Sequence, residues 1–273
     1  ETSISHVFNA GPVWDVNKDD QRRHRYSVTV YDKTICLAKS EDEYLFAEGT
    51  TATQRIKQIA GDWNIPVYQL AETGQPLAKA LYRSKNLWSI IQEALRETAE
   101  KSGKMYRLRM MHGRMSSLQN YQFAPGGLEL VELGTNSTVW MLESQVNLEK
   151  LSHHQTLDGA VTKVKILGNA SKESRSPVLG VVTGETQYGT LQKVHTEHKA
   201  TNVAAAMKIA NNLLTGVQET INATGIDINT IRAGDRVAVE GYPDLLAVSV
   251  KHECGSPGSM MLQLAPQKYI RSK

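Results

Sequence analysis

The spacing of apolar residues near the start of the chain predicts β structure. Between residues 25 and 38, apolar and polar residues alternate on both sides of a turn at Asp32 and Lys33, as in a pair of antiparallel strands. Just before this pair, residues 15–25 mix acidic and basic side chains. We therefore expect a solvated connection at 15–25 and a strand pair at 25–38.

A helical period replaces this alternation from Thr51 onward. Apolar residues recur there every three or four positions up to Trp63, and Thr51 with Gln54 has the spacing of a capping box. A second helix is predicted from Asn86, a favourable N-cap residue, to Gly103, a favourable stop signal. Each helix carries one apolar stripe, which in the first includes Trp63, so each is expected to pack through one face.

Strand-like alternation returns after the second helix. It is clearest at 105–110, and further strand-like runs follow at 128–133 and 138–142. Because helices and strands mix between residues 51 and 145, we expect this stretch to be one α/β module.

The final third of the chain is predicted to be mostly β. Its strand-like runs lie at 162–166, 178–183, 188–196, 217–223, 237–239, 246–250 and 260–264. Such short, closely spaced strands are typical of a barrel or a sandwich. One helix, at about 201–215, interrupts them between Asn202 and Gly216, and we expect it to plug or flank the barrel. The polar stretch around His153 and His154 is expected to be a surface loop.

Composition narrows the class of protein. The chain has 273 residues, 40% of them apolar, and a net charge of +3, which describes a folded protein with no strong field for polyanions. Nucleic acid is therefore an improbable partner. Only two cysteines, Cys36 and Cys254, are present, too few for a disulfide framework, so folding in a reducing compartment is expected. No apolar run is long enough to span a bilayer, and the start at Glu1 indicates a missing N-terminal segment.

Few features of the sequence point to an enzyme. The chain contains no phosphate-binding Gly-Lys loop, dinucleotide fingerprint, nucleophile elbow or His-Glu-x-x-His helix. The best metal candidate is His195 with Glu197 and His198, but the two histidines of a strand at this spacing point to opposite faces. No catalytic, cofactor-binding or metal residue is therefore assigned, and no enzyme activity is expected.

Two further histidine clusters have ordinary interpretations. His252 and Cys254 share a strand face, where we expect a buried, hydrogen-bonded histidine beside a packing cysteine. Ser152, His153 and Asp158 lie close in sequence, but catalytic triads are formed by folding rather than by adjacency.

The densest basic patch also has an ordinary interpretation. Arg107 and Arg109 project from one strand face with Lys104 and Arg114 nearby, without interleaved aromatic residues for stacking bases. A solvated face or a subunit contact is therefore expected there.

Residues 49–66, GTTATQRIKQIAGDWNIP, look like the first half of a LysM peptidoglycan-binding module. The match covers fewer than twenty residues, and the partner half is not evident at the usual spacing. A cell-wall-binding module built around this segment is therefore the alternative hypothesis. A peptidoglycan hydrolase is a third, for which the chain offers no paired carboxylates at a recognisable spacing.

Read as a whole, the chain resembles the baseplate hub proteins of contractile phage tails, in particular the XkdQ and YqbQ type of PBSX-like prophages, related to the late control protein D group. The segments that carry the resemblance are 31–66, 84–118, DGAVTKVKILG (158–168), YGTLQKV (188–194), ATNVAAAMKIANNLL (200–214) and 231–266. Each is unspecific by itself, and their order and spacing along nearly the whole chain carry the identification.

The resemblance implies a structural protein of the α+β class with two antiparallel, tail-tube-like β-barrels and an α/β insertion. Residues 1–50 would be a β segment of an incomplete first barrel, 51–145 the insertion, and 146–273 the second barrel with its helix. The implied function is a trimeric hub that joins tail tube to spike and contacts other baseplate proteins. Such a protein is made in the bacterial cytoplasm and assembled into the tail particle. The resemblance implies no cofactor, and it assigns no interface residues.

Overall fold

The computed structural model describes residues 12–19, 25–111, 114–117, 122–124, 126–169, 175–196 and 203–266. The chain divides into two compact units. The first comprises Glu1–Thr98 with Tyr106–Val131, and the second Ala99–Met105 with Glu132–Lys273.

The first unit combines three helices with short strands. In chain order the elements are β1 (Val13–Asp19), β2 (Arg25–Val30), α1 (Thr34–Lys39), β3 (Glu41–Phe46), α2 (Ala52–Asp62), β4 (Val67–Leu70), β5 (Ala80–Asn86), α3 (Leu87–Ser102), β6 (Tyr106–Met111), β7 (Arg114–Ser117), β8 (Gln122–Ala124) and β9 (Gly127–Glu132). Three of the sheets are pairs, β1–β2, β3–β5 and β7–β8, and the fourth has the order β4–β9–β6.

The two predicted helices of this unit are confirmed, together with their capping residues. Thr51 Oγ1 accepts the Gln54 N–H at 3.3 Å while Gln54 Oε1 accepts the Thr51 N–H at 2.9 Å, which completes the capping box of α2. Asn86 Oδ1 accepts the Ser89 N–H at the start of α3, and Gly103 follows its end with a positive φ of 80°. The apolar stripes of α2 and α3 pack into one core with β3, β6 and β9.

Only the first of the two strands predicted at 25–38 is present. Strand β2 is present, but residues 34–39 form α1, and the antiparallel partner of β2 is β1. The stretch that we expected to be a solvated connection is therefore strand up to Asp19, while Asp20, Arg22 and Arg23 lie outside the described residues. Helix α1 forms because Asp32 accepts hydrogen bonds from the backbone and hydroxyl of Thr34, which favours a helical turn there.

The second unit contains two sheets and one helix among its described residues. Its elements are β10 (Trp140–Leu142), β11 (Leu148–Thr156), β12 (Lys163–Leu167), β13 (Val178–Thr183), β14 (Gln192–Thr196), α4 (Val203–Leu213), β15 (Gln218–Ile226), β16 (Arg236–Val239), β17 (Tyr242–Glu253) and β18 (Ser259–Ala265). The larger sheet has the order β10–β16–β17–β18–β15–β11, and the smaller has the order β13–β12–β14. Helix α4 covers one face of the smaller sheet.

The predicted strands of the final third are confirmed, except that the one expected at 188–196 begins only at Gln192, and one strand was not predicted. Residues 148–156, expected to be a loop around His153 and His154, form the edge strand β11. They pair antiparallel with β15, so backbone pairing rather than an apolar pattern holds this polar segment in the sheet.

The fold is mostly β with few helices, as the α+β class requires. The six-stranded sheet curls into a half-barrel with β10 and β11 at its edges, and its inner face is a core of apolar side chains. Two features of this unit depart from a simple antiparallel barrel: β10 runs parallel to β16 in the larger sheet, and β12 runs parallel to β14 in the smaller one. The expectation of two antiparallel barrels, the first of them incomplete, stays a prediction.

Candidate assembly surfaces

The β1–β2 hairpin carries an apolar face that nothing in the described part of the chain covers. Cross-strand register places five apolar side chains on one side, which we call the hairpin face: Val13, Val16, Tyr26, Val28 and Val30. Lys18, the cross-strand partner of Tyr26, lies at the end of the same side. All five are exposed, Val16 by 56% and Val28 by 52%. The opposite side carries Asp15, Asn17, Ser27 and Thr29.

Such a hairpin is suited to binding a partner. A two-stranded ribbon is marginally stable by itself, and a contiguous exposed apolar face marks an interaction surface. Trp14 packs edge-to-face against Tyr31 with ring centroids 5.8 Å apart, which extends the apolar surface along the hairpin. A groove of about 250 Å³ continues from Val30 and Tyr31 to Trp88. We therefore take the hairpin face as the leading candidate for an assembly surface.

The smaller sheet of the second unit has a comparable surface. Val164 and Ile166 of β12 face α4 and are fully buried. On the other side of the sheet Val178, Val181 and Val194 are exposed, beside Lys165 of the central strand. Because the buried side already has its helix, this outer valine face is a second candidate surface.

The polar edge of the half-barrel is a third feature. Alternation along β11 places His153 toward Tyr242, with Nδ1 3.4 Å from the phenol oxygen and the rings 5.5 Å apart. Glu219 of the neighbouring β15 lies 3.9 Å from His153 Nε2 and accepts a hydrogen bond from Gln155. Ser152 and His154 occupy the other face of β11, so the strand does not bring a serine, a histidine and Asp158 together as a triad.

The metal candidate is only partly described. His195 lies on β14 and is partly buried, while Glu197 and His198 fall outside the described residues. In the part of the chain that the structure describes, no three His, Cys, Asp or Glu side chains are placed to hold a metal ion.

His252 and Cys254 do not share a packed strand face. A bulge between Ala247 and Ser249 shifts the alternation of β17, so Ala247, Val250 and His252 face the core side, and β17 ends before Cys254. His252 is partly buried and hydrogen-bonded, as expected, but Cys254 is exposed rather than packed, which corrects the expectation for the cysteine.

The basic patch is largely paired. Arg109 Nε donates to Glu129 Oε2 at 2.6 Å, and Lys104 forms an ion pair with Glu132 at 3.0 Å. Burial of the Arg107 guanidinium and the like charge of Arg109 both lower the pKa of Arg107. These ion pairs reduce the positive field that a phosphate backbone would require.

Trp63, which we placed on the apolar stripe of α2, is 36% exposed. Its indole Nε1 donates to Asp42 Oδ2 at 3.2 Å. The neighbouring Asp62 accepts a hydrogen bond from the Tyr44 hydroxyl, and burial together with that carboxylate raises the pKa of Tyr44. Trp63 thus lies at the surface, held by Asp42.

No membrane-spanning candidate occurs among the described helices, since none is both long and apolar enough.

Comparison with known proteins identifies relatives along most of the chain. The profile of the YQBQ-like family matches residues 5–246. The YqbQ protein of Bacillus subtilis strain 168 is 28% identical over 174 residues, which cover 63% of this chain and 49% of YqbQ. The phage-like element PBSX protein XkdQ of the same organism is 25% identical over 216 residues, or 77% of this chain and 62% of XkdQ. The chain thus spans about half to three fifths of the curated relatives it matches.

The fold is also similar to solved structures. The tail protein from Neisseria meningitidis MC58 superimposes with a TM-score of 0.66, at 19% identity, over 96% of this chain and 81% of that protein. At this level of identity the likeness concerns the fold alone.

The pattern of residues did not reveal the hairpin face in advance. Val13 and Val16 lie three positions apart because a bulge between Val13 and Asp15 interrupts the alternation of β1. An alternating pattern also shows which residues share a face and not what covers it. A signal was present in Tyr26, Val28 and Val30, but it could not distinguish a core strand from an exposed one.

Proposed function

Because this chain belongs to the YQBQ-like family, we propose that it is a structural component of a phage or phage-like contractile tail, the baseplate hub that joins tail tube to spike. The hub assembles as a trimer and contacts the tube, the spike and other baseplate proteins. It is made in the bacterial cytoplasm and incorporated into the tail particle. Its work is to hold neighbouring proteins in register, without an enzymatic step.

One observation supports this proposal above the others: in the described part of the chain, two sheet faces expose several apolar side chains, as interaction surfaces do. The hairpin face and the outer valine face lie on different units, so one copy offers two distinct surfaces. A closed ring of odd order requires two different surfaces per copy, because each copy contacts its two neighbours differently.

The first test is the native mass across a concentration series, by light scattering after gel filtration. The subunit mass is 30.2 kDa, so a trimer is well separated from a monomer. We expect a species of three subunit masses that dissociates on dilution. A chain that stays monomeric at the highest concentration contradicts self-assembly as proposed.

A substitution on the hairpin face tests which surface forms the ring. Val28→Lys places a charge in the proposed interface, and we expect the trimer to dissociate at concentrations about tenfold higher or more. Thr29→Lys is the matched control, since Thr29 is the next residue of β2 and lies on the polar side of the hairpin. If both variants form trimers over the same concentration range, the hairpin face is not part of the interface.

The cell-wall-binding alternative, built around residues 49–66, has its own test. If the hub proposal is right, the chain does not sediment with purified peptidoglycan. Trp63→Ala is compared with Trp140→Ala, since Trp140 has a similar exposure of 39% in the other unit. Sedimentation that only Trp63→Ala abolishes would establish the alternative.

A further inference from the structure

The turn between β11 and β12 carries an Asp–Gly pair. Asp158 is the one aspartate of the sequence that precedes a glycine, and no asparagine precedes one. The Ala160 N–H donates to Leu157 O at 3.0 Å, and Gly159 has a positive φ of 75°, as in a type II turn with Asp158 and Gly159 at its corner. Both corner residues are exposed. The pair is therefore open to water on a surface turn.

An Asp–Gly pair can rearrange with no reagent other than water. The Gly159 nitrogen attacks Cγ of the protonated Asp158 carboxyl, an N–Cγ bond forms, and one carboxyl oxygen leaves as water with the carboxyl and amide protons. Water then adds to the α-carbonyl carbon of the resulting five-membered succinimide and breaks its bond to the nitrogen. The chain now continues through the Asp158 side chain as isoaspartate, with no change in mass. Glycine favours the first step because it has no Cβ beside the nitrogen.

Few contacts oppose this step. In a type II turn the Gly159 nitrogen lies outside the plane in which the five-membered ring closes, so the turn must open first. Two hydrogen bonds hold it closed, the one between Ala160 and Leu157 and one from the Asp158 N–H to Thr156 Oγ1 at 3.1 Å. No atom lies within 4 Å of the position that a Cβ would take at Gly159. An exposed turn with so few contacts is the kind of segment that opens locally.

We propose that Asp158 converts to isoaspartate in the folded chain and that the conversion loosens the connection between the two sheets of the second unit. The turn is fixed at both ends. Thr156 is paired within the ladder of β11 and β15, and Val161 donates to Thr215 Oγ1 at 3.0 Å and accepts the Thr215 N–H at 3.1 Å. Isoaspartate adds one carbon atom to the backbone between these points. The hydrogen bond of the Ala160 N–H, which requires the ordinary turn length, is then lost.

The test is to age the full chain near neutral pH, both folded and unfolded in urea. Electron-transfer dissociation mass spectrometry distinguishes the two linkages at Asp158. We expect isoaspartate to form about ten- to a hundredfold more slowly in the folded chain, because only the opened turn reacts. In the converted fraction, protection of the Ala160 amide from hydrogen exchange should fall by about tenfold or more. A folded chain that forms no isoaspartate while the unfolded chain converts overturns the proposal, and so does unchanged Ala160 protection after conversion.

Variants assign the effect to this pair. Gly159→Ala places a methyl group beside the attacking nitrogen and should slow the conversion by about tenfold or more. Gly241→Ala is the matched control, since Gly241 also has a positive φ, 83°, and no atom near the added Cβ, and it should leave the rate at Asp158 unchanged. Asp158→Glu cannot close a five-membered ring, so its Ala160 protection should survive ageing. Equal rates in the two glycine variants, or a loss of protection that also appears in Asp158→Glu, contradicts the proposal.

Discussion

Replacing Arg55 with alanine should destabilise the first unit by about 3 kcal/mol. Arg55 lies on α2 and is only 1% exposed, which is unusual for a charged residue. Its Nε donates to Thr50 Oγ1 at 3.0 Å, its Nη2 donates to Ala78 O at 2.5 Å, and its guanidinium carbon lies 4.9 Å from the centroid of the Phe46 ring. Burial lowers the pKa of Arg55, because removing the guanidinium from water disfavours its charged form.

The contacts of Arg55 explain why the effect should be large. Ala78, which accepts from Arg55 through its carbonyl, also donates its N–H to Glu97 of α3 at 2.8 Å. Arg55 therefore connects α2, the extended segment before β5, and α3. Removing it opens a cavity beside Phe46 and takes away the donor to a backbone carbonyl, and each effect is destabilising.

Two variants separate packing from hydrogen bonding in the urea unfolding free energy. Arg55→Met fills most of the space without donating, so we expect about half the loss seen with alanine. Arg83→Ala removes an exposed arginine of β5 and should change stability by less than about 0.5 kcal/mol. Hydrogen exchange of the α2 amides locates the loss in the first unit. If Arg55→Ala is no more costly than Arg83→Ala, the guanidinium is not structural.

Arg55 also shows where sequence reasoning stops. The signals of α2 and α3 are local: Thr51 and Gln54 are three positions apart, and Asn86 and Gly103 directly flank α3, so both helices were predicted. An arginine within a helix reads as part of the solvated face, because its burial depends on partners outside the helix, such as Phe46 and Ala78. Such long-range contacts leave no periodic trace.

Strand β11 and helix α1 were not predicted, and the reasons are again physical. Strand β11 is an edge strand whose side chains are mostly exposed, so it lacks the alternation that marks a half-buried strand. Helix α1 has six residues, too few to display a helical period, and its Ile35 and Leu37 fit a strand equally well. The hydrogen bonds of β11 with β15 and those of Asp32 with Thr34, rather than a periodic pattern of apolar residues, decide these two structures.

The same limit applies to the assembly surfaces. The resemblance to tail hubs predicted a structural protein, and the order of elements in the final third agreed with it. Neither indicated that Val28 would be exposed while Val164, in an equally apolar strand, would be covered by α4. Burial is a property of the packed units, so the exposed apolar residues could be named only from the structure.

Replacing Gly225 with alanine should cost about 3 kcal/mol and open the β11 edge of the half-barrel. Gly225 lies on β15 opposite Leu148, where a bulge brings β11 unusually close. A Cβ at position 225 would lie 2.0 Å from Asn147 O and 3.3 Å from Leu148 Cα, so it meets backbone atoms rather than movable side chains. The hydrogen bond from the Ile226 N–H to Asn147 O, at 3.0 Å, would have to break or the start of β11 would have to move.

The matched control for this steric effect is Gly159→Ala. Gly159 has a positive φ of 75° but no atom within 4 Å of the added Cβ, so alanine there carries only the conformational cost of about 1 kcal/mol. Urea unfolding measures both variants, and hydrogen exchange of the β11 amides should show faster exchange in Gly225→Ala alone. Equal losses would mean that β11 adapts freely at its bulge. A larger loss at Gly225, confined to β11 and β15, would show that the close approach of the two backbones fixes the edge of the half-barrel.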